Sequence, residues 1–343
     1  DARGVAKRPF ISWQDGRAAS TAQKLAADPA LADFPRHAGT HAPTPAQQIS
    51  LLVWLTHAEP RLVTRDDAVC GLADFVTREL SGQAWTDDNL AAMSGLYSLE
   101  LGDYWSPALE ACGIVRGQLP RVAPVGTSPC ATAERAADYG LAPGIPIVCA
   151  GNDQTGGAYG AGVHETGALL VTLGTAQVAY LCCDARPQSK PSVIRGIYPG
   201  GKFYALTIAE FSGSTISWAV DEIEGCDSVE DLFDLAGRSS SGAHGLVFEP
   251  TGKTGEGRWR GVAEHHVPAD FARAVLDAGV ARLAEAVDLL DADPGRTPVW
   301  AAGGGSQSEL WMKLLAERLG TTITPVDADP LLGAARMAVR CLR

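Results

Sequence analysis

The segment IVCAGNDQTGGAYGAG occupies residues 147–162. Its apolar opening predicts a short strand over Ile147–Ala150, and the glycines that follow break that strand. Asp153, with Gln154 beside it, therefore falls at the C-terminal end of a strand, where open α/β sheets bind ligands. Taken alone, the same aspartate could equally cap a helix. Just upstream, LAPGIPIVC (141–149) reads as a loop running into the strand, and the texture of the sequence changes here. This predicts two domains, 1–147 and 148–343.

The second part alternates strand and helix signals. ALLVTLGTAQVAYLC (168–182) is two apolar stretches separated by Gly174-Thr175, the pattern of a β-hairpin. A strand at about Phe203–Ile208 precedes FSGSTIS (211–217), a loop opening a helix. Phe271, Val275, Leu276, Val280, Leu283, Val287 and Leu290 recur at three- and four-residue steps and predict a helix over Asp270–Leu290. TPVWAAGGG (297–305) reads as a strand ending in three glycines. The helix after it closes at Gly320, and a small-residue helix follows at 333–342. In the first part, Thr44-Pro45 suits a helix start ahead of Ile49, Leu51, Leu52, Trp54 and Leu55, with Pro60 ending that helix. Helical patterns also cover about Asp66–Leu80 and Ser106–Cys112.

Two further junctions could carry chemistry. At Gly303-Gly304-Gly305-Ser306 a buried strand feeds a helix whose start offers unpaired N–H groups and a positive dipole end. Such a turn suits phosphate or nucleotide, although a glycine triplet by itself reads as a structural turn. Leu173-Gly174-Thr175-Ala176 could aim an amide and a hydroxyl at a phosphate, or be an ordinary tight turn. Neither GxxxxGK[ST] nor GxGxxG occurs, so P-loop and Rossmann readings lack support.

Composition narrows the field. The 343 residues suffice for two domains, and 46% hydrophobic with 20% charged residues is ordinary for a globular protein. A formal net charge of −12 without a Lys/Arg cluster argues against binding nucleic acid. No apolar run is long enough to suggest a membrane span, and the first residues lack the apolar stretch of a signal peptide. The eight cysteines form no CxxC pair and sit mostly in apolar surroundings, which predicts buried thiols, a cytoplasmic location and no zinc site.

In order and spacing, these segments resemble the FGGY carbohydrate kinases from about Pro9 to Ala338. PFISWQDGRA (9–18) looks like the family's W-x-D-x-R segment, and TDDNLAAMSGLYSLELGDYW (86–105) is similar to its TD-x-x-NA-S stretch. GNDQ (151–154), LGTA (173–176), GGGSQSELWMKLLAERLG (303–320) and GAARMA (333–338) resemble its catalytic, phosphate-turn, adenosine-loop and C-terminal helix motifs. The resemblance implies an α/β protein of actin-like ATPase (ribonuclease H-like) fold, with two domains, a cleft between them, and a first domain incomplete at its N-terminus. It implies ATP with Mg²⁺, and a sugar or polyol as substrate, most readily a ketopentose such as xylulose or ribulose. Asp153 would be the catalytic base and a metal contact, and Gln154 a substrate contact. Trp13, Asp15 and Arg17 would lie on the sugar side, although an Asp15–Arg17 salt bridge is an equal reading. Gly174, Thr175, Gly213, Ser217, Gly304, Gly305 and Glu309 would face the nucleotide. Dimers are common in the family, so a homodimer is expected.

Two departures stand out. The family's opening strand, hairpin and phosphate turn are absent before the W-x-D-x-R segment, which predicts a poor kinase as the chain is written, with exposed sheet edges. TGKTGEGRWRGVAEHH (251–266) is shorter than the family's corresponding stretch. The competing expectation is a catalytically weak nucleotide- or sugar-binding regulatory protein of actin-like fold. A serine or cysteine hydrolase has little support without a G-x-S-x-G elbow, and His265-His266 reads as a solvated helix approach rather than a metal site.

Overall fold

Leu169–Leu173 and Ala176–Cys183 pair antiparallel, with Leu169 opposite Leu181 and Leu173 opposite Gln177, so the predicted hairpin is present. Both strands are buried along nearly their whole length, which is why they read as continuous apolar runs rather than as alternation. The computed structural model describes residues 1, 3–174, 176–251 and 255–343. The chain divides into two compact units: 1–159 with 184–204 and 330–343, and 160–183 with 205–329.

In the second unit, the strand Val299–Ala302 lies parallel to Leu169–Leu173, with Val299 opposite Leu169 and Ala302 opposite Thr172. Its other side pairs in parallel with Ile323–Pro325. Beyond Ala176–Cys183 comes Lys202–Ser212, longer than the predicted Phe203–Ile208. The long helix spans Pro268–Asp288. It begins two residues early because Pro268 takes the first helical position and Asp270 accepts the Val267 amide at 3.1 Å. Val275, Leu276, Leu283 and Val287 are fully buried on this helix. Thr207 Oγ1 donates to the Ala286 carbonyl at 2.8 Å. Gly279 leaves room for the Phe211 ring, which would stand 2.9 Å from a Cβ placed there.

The first unit gathers Phe34, Ile49, Leu96, Tyr97, Trp105 and Leu109 into its core. The helix predicted from Thr44 starts at Gln48, because 44–47 forms a separate turn in which Gln47 N–H bonds the Thr44 carbonyl at 3.2 Å. The helix predicted from Asp66 starts at Leu72, and Ser106–Cys112 is as predicted. Trp85–Asp87 pairs in parallel with Arg121–Ala123, and Asp103–Tyr104 pairs with Tyr97–Ser98. The strand expected over Ile147–Ala150 is reduced to Pro146–Ile147, paired with Cys130–Ala131, because Cys149 bonds instead to the 126–127 turn. Arg195, 3% exposed, donates to the main-chain carbonyls of Pro35, Ala38 and Pro187, and burial draws its pKa down to about 10. Burial also pushes the Cys112 and Cys149 thiols up to about 12, as inert interior cysteines require. Among the described residues no helix is long and apolar enough to cross a membrane.

On the strand Val193–Tyr198, Gly196 lies against the fully buried Tyr204, and a Cβ there would enter the van der Waals shell of the phenol ring. Gly196→Ala should therefore destabilise the protein by about 1–3 kcal/mol, the usual cost of overpacking, seen as a lower urea midpoint at unchanged slope.

Candidate active site

Asp153 opens the helix Asp153–Ala161 and is exposed, with Gln154 half-buried behind it. The cap is Asn152, whose side-chain oxygen accepts the Thr155 N–H at 2.7 Å. Asp153 is thus a first-turn residue, and its carboxylate accepts only the adjacent Gln154 N–H among the hydrogen bonds described. The turn before it depends on Gly151, at φ 73°, where a Cβ would stand 2.9 Å from Asn89 Oδ1.

Two buried side chains from the TDDN stretch hold this turn. Asp87 accepts Gly151 N–H at 3.1 Å through one carboxylate oxygen and Leu90 N–H at 2.8 Å through the other. Asn89, fully buried, accepts Asn152 N–H at 3.0 Å. Its amide group donates to Thr155 Oγ1 at 2.8 Å and to the Ile197 carbonyl at 2.6 Å. The sequence reading quoted this stretch only as part of a resemblance and assigned its residues no role. No local signal marked them: the strand Trp85–Asp87 is short and includes Asp87 itself, and the burial of these side chains shows only in the main-chain groups they bond.

Of the sugar-side residues expected from sequence, Asp15 and Arg17 are joined to each other. The Asp15 carboxylate accepts Arg17 N–H at 2.9 Å and its guanidinium Nε at 2.7 Å. The Arg17 hydrogen bond holds the Asp15 carboxyl below its ordinary range. Arg17 also lies 5.0 Å over the Trp54 ring, and Trp13 is 70% exposed. The local arrangement is therefore that of the salt bridge.

The second unit brings its two glycine turns together. Gly303, at φ 93°, passes so close to the hairpin that a Cβ would stand 2.9 Å from the Leu173 carbonyl and 3.3 Å from Gly174 N. A Cβ on Gly305 would stand 2.8 Å from that of Leu173, whereas one on Gly304 would meet nothing within 4 Å. Gly304–Gln307 forms a 3₁₀ turn, Ser306 Oγ closes it on the Gly303 carbonyl at 2.7 Å, and Ser308 caps the helix Glu309–Leu319. Glu309 is exposed at the start of that helix. Phe211 meets Trp311 edge-on at 6.3 Å, which ties this helix to the strand that leads into Gly213–Glu222. Gly213 opens that helix, and its carbonyl accepts the exposed Ser217 hydroxyl at 3.2 Å. Thr175 lies outside the described residues. Among the described residues, buried Gln177 Oε1, across the hairpin from Leu173, has no hydrogen-bond partner.

Sequence comparison gives this geometry its context. The N-terminal domain of the FGGY family of carbohydrate kinases matches residues 4–160, and the C-terminal domain matches 169–342. The chain belongs to the FGGY carbohydrate kinases. Among similar FGGY kinases, the xylulose kinase of Escherichia coli K12 is 27% identical over 356 residues, covering 98% of this chain and 72% of that protein. The L-fuculokinase of Salmonella typhi is 25% identical, covering 98% and 73%. The crystal structure of xylulose kinase from Rhodospirillum rubrum has a TM-score of 0.89 at 25% identity, covering 98% of this chain and 71% of that one. The fold is thus the two-domain actin-like ATPase fold, and the protein is a sugar kinase enzyme, as the sequence motifs implied.

In this FGGY kinase, burial pushes the Asp87 carboxyl up to about 6, against two N–H bonds that lower it. The folded protein therefore binds this proton more tightly than the unfolded chain, whose carboxyl titrates near 3.9. The cost of ionising Asp87 in the fold is absent below the unfolded value, grows through the interval, and is complete above about pH 6. The stability of the wild type relative to Asp87→Asn should fall by about 2 kcal/mol between pH 4 and pH 7. Urea unfolding of both proteins across that range checks it.

Proposed function

We propose that this kinase transfers the γ-phosphoryl group of ATP to a hydroxyl of a ketopentose such as xylulose or ribulose, with Asp153 as the general base. The observation that carries the reading is the setting of Asp153: an exposed carboxylate at the first turn of a helix, on a turn held from beneath by buried Asp87 and Asn89. A carboxylate open to the surface can be reached by a substrate hydroxyl and take its proton, and a fixed turn keeps it aimed. Gln154 then contacts the sugar, and Trp13 with the Asp15–Arg17 pair borders it. The ketopentose rests on the relatives. Xylulose kinases are prominent among them, and the fuculose in the name of the L-fuculokinase is, like xylulose, a ketose.

The nucleotide phosphates would lie against the bare main chain of Gly174 and Gly304–Gly305. Gly213, Ser217 and Glu309 would complete the nucleotide side. The open space at Gly304 and the close passage of Gly303 by the hairpin suit backbone amides approaching a phosphate. A Mg²⁺ ion, when bound, draws charge from the phosphates. Such an ion is commonly held by the phosphates and one or two carboxylates, and Asp153 is the one assigned here. A ketose must enter by diffusion as a small free molecule, and the protein would work in the cytoplasm, with a second copy as its expected oligomeric partner.

The test is an ATP-consumption screen over ketoses, polyols and aldonates, run with the wild type and Asp153→Asn. The wild type should turn over fastest with a ketopentose, and the variant should lose at least ~10²-fold in kcat. Normal turnover by the variant would show that Asp153 is not the base. Gly304→Ala offers a second check. It meets no atom and requires no left-handed φ, so its melting midpoint should match the wild type while the KM for ATP rises several-fold.

A further inference from the structure

Asn89 and Thr155 sit beneath the residue assigned as the base, and neither is exposed. The Asn89 side chain bonds three groups on two pieces of chain. Its oxygen takes Asn152 N–H at 3.0 Å, immediately before Asp153. Its amide group reaches Thr155 Oγ1 at 2.8 Å, two residues after Asp153, and the Ile197 carbonyl on a neighbouring strand at 2.6 Å. One carboxamide thus brackets Asp153 on both sides and fastens the bracket to a strand. The approach is close enough that position 151 must be a glycine, since a Cβ there would collide with Asn89 Oδ1. Asp87 fixes the same turn one residue earlier through Gly151 N–H.

We propose that Asn89, acting through Asn152 and Thr155, is the positioning residue that aims the Asp153 carboxylate at the sugar hydroxyl. The proposal rests on Asp153 being the base. An exposed first-turn side chain has few contacts of its own to fix it, so its direction is inherited from the main chain of 151–155. That main chain is held by hydrogen bonds to side chains that are themselves buried, so losing one leaves a buried polar group unsatisfied. A displacement of about 1 Å at a reacting group can cost about 10²-fold in rate. The expected signature is therefore a fall in kcat with little change in the KM for ATP, because the glycine turns assigned to the nucleotide lie elsewhere in the chain, whereas Gln154 shares the displaced main chain and the KM for the sugar rises with it.

The experiment compares Asn89→Ala, Thr155→Val, Thr155→Ser and Asp153→Asn with the wild type, using full-length protein, ATP and the best ketose from the screen. Sugar phosphate formed and ATP consumed are measured separately, and the folded fraction of each variant is fixed by its melting curve. Asn89→Ala and Thr155→Val should lower kcat by about 10- to 100-fold at near-constant KM for ATP. Their yield of sugar phosphate per ATP consumed should also fall, because a misaimed base favours the sugar less over water. Partial unfolding would scale both products together and leave that ratio unchanged. Thr155→Ser keeps the hydroxyl that Asn89 meets and should restore most of kcat and the ratio. If Asn89→Ala does not fold, the Thr155 pair decides. Wild-type kcat and ratio in folded Asn89→Ala or in Thr155→Val, alongside an inactive Asp153→Asn, would overturn the positioning role and leave the base in place. An active Asp153→Asn would remove both.

Discussion

The Gly151–Asn152 turn carries two half-buried main-chain N–H groups, and it is held because the buried side chains of Asp87 and Asn89 accept them. Burying such donors without partners would cost several kcal/mol. The two acceptors come from a stretch more than sixty residues earlier, beside a strand of only three residues. The consequence runs both ways. The turn fixes where the helix Asp153–Ala161 begins, and the helix, through Thr155, returns a hydroxyl to Asn89. A polar network in which each member satisfies another can hold one geometry in a way that apolar packing alone does not.

The second unit solves a different problem by removing atoms rather than adding bonds. Gly303 and Gly305 approach Leu173 at distances that any side chain would prevent, so two turns from remote parts of the chain lie against each other with their main chain bare. Gly304, between them, is the one of the three with open space around it. Two of the glycines are thus explained by packing, and the middle one by nothing in the protein. That contrast is a better guide to a ligand position than a count of glycines.

Much of this was legible in the sequence where a pattern is local and long. The buried hairpin at 169–183 and the long helix carry their periodicity over many residues, and the helix, Pro268–Asp288 rather than 270–290, is displaced by only two residues at each end. The ordered motifs gave the family and the fold, now matched over residues 4–160 and 169–342. What escaped was set by distant partners. Ile147–Ala150 looked like a strand, but Cys149 exchanges hydrogen bonds with the 126–127 turn and the ladder stops at Ile147. Thr44 looked like a cap, but 44–47 closes as a turn of its own and the helix starts at Gln48. Residues 184–204 and 330–343 belong with the first unit, and no local pattern announces such a return. Within it, Gly156 lies against Pro330, whose carbonyl would stand 3.0 Å from a Cβ there. Asp87 and Asn89 were missed for the same reason, since a buried acid and a surface acid look identical until their partners are known.

Arg195 shows where such dependence on partners ends. Its guanidinium is held by carbonyl oxygens at positions 35, 38 and 187, atoms that every amino acid supplies. An arginine bound to carboxylates can be undone by mutating either side, but this one has a single genetic point of failure. Changes at 35, 38 or 187 leave its acceptors standing as long as the backbone keeps its course. The joint between these segments is therefore open to sequence drift on one side and closed to it on the other.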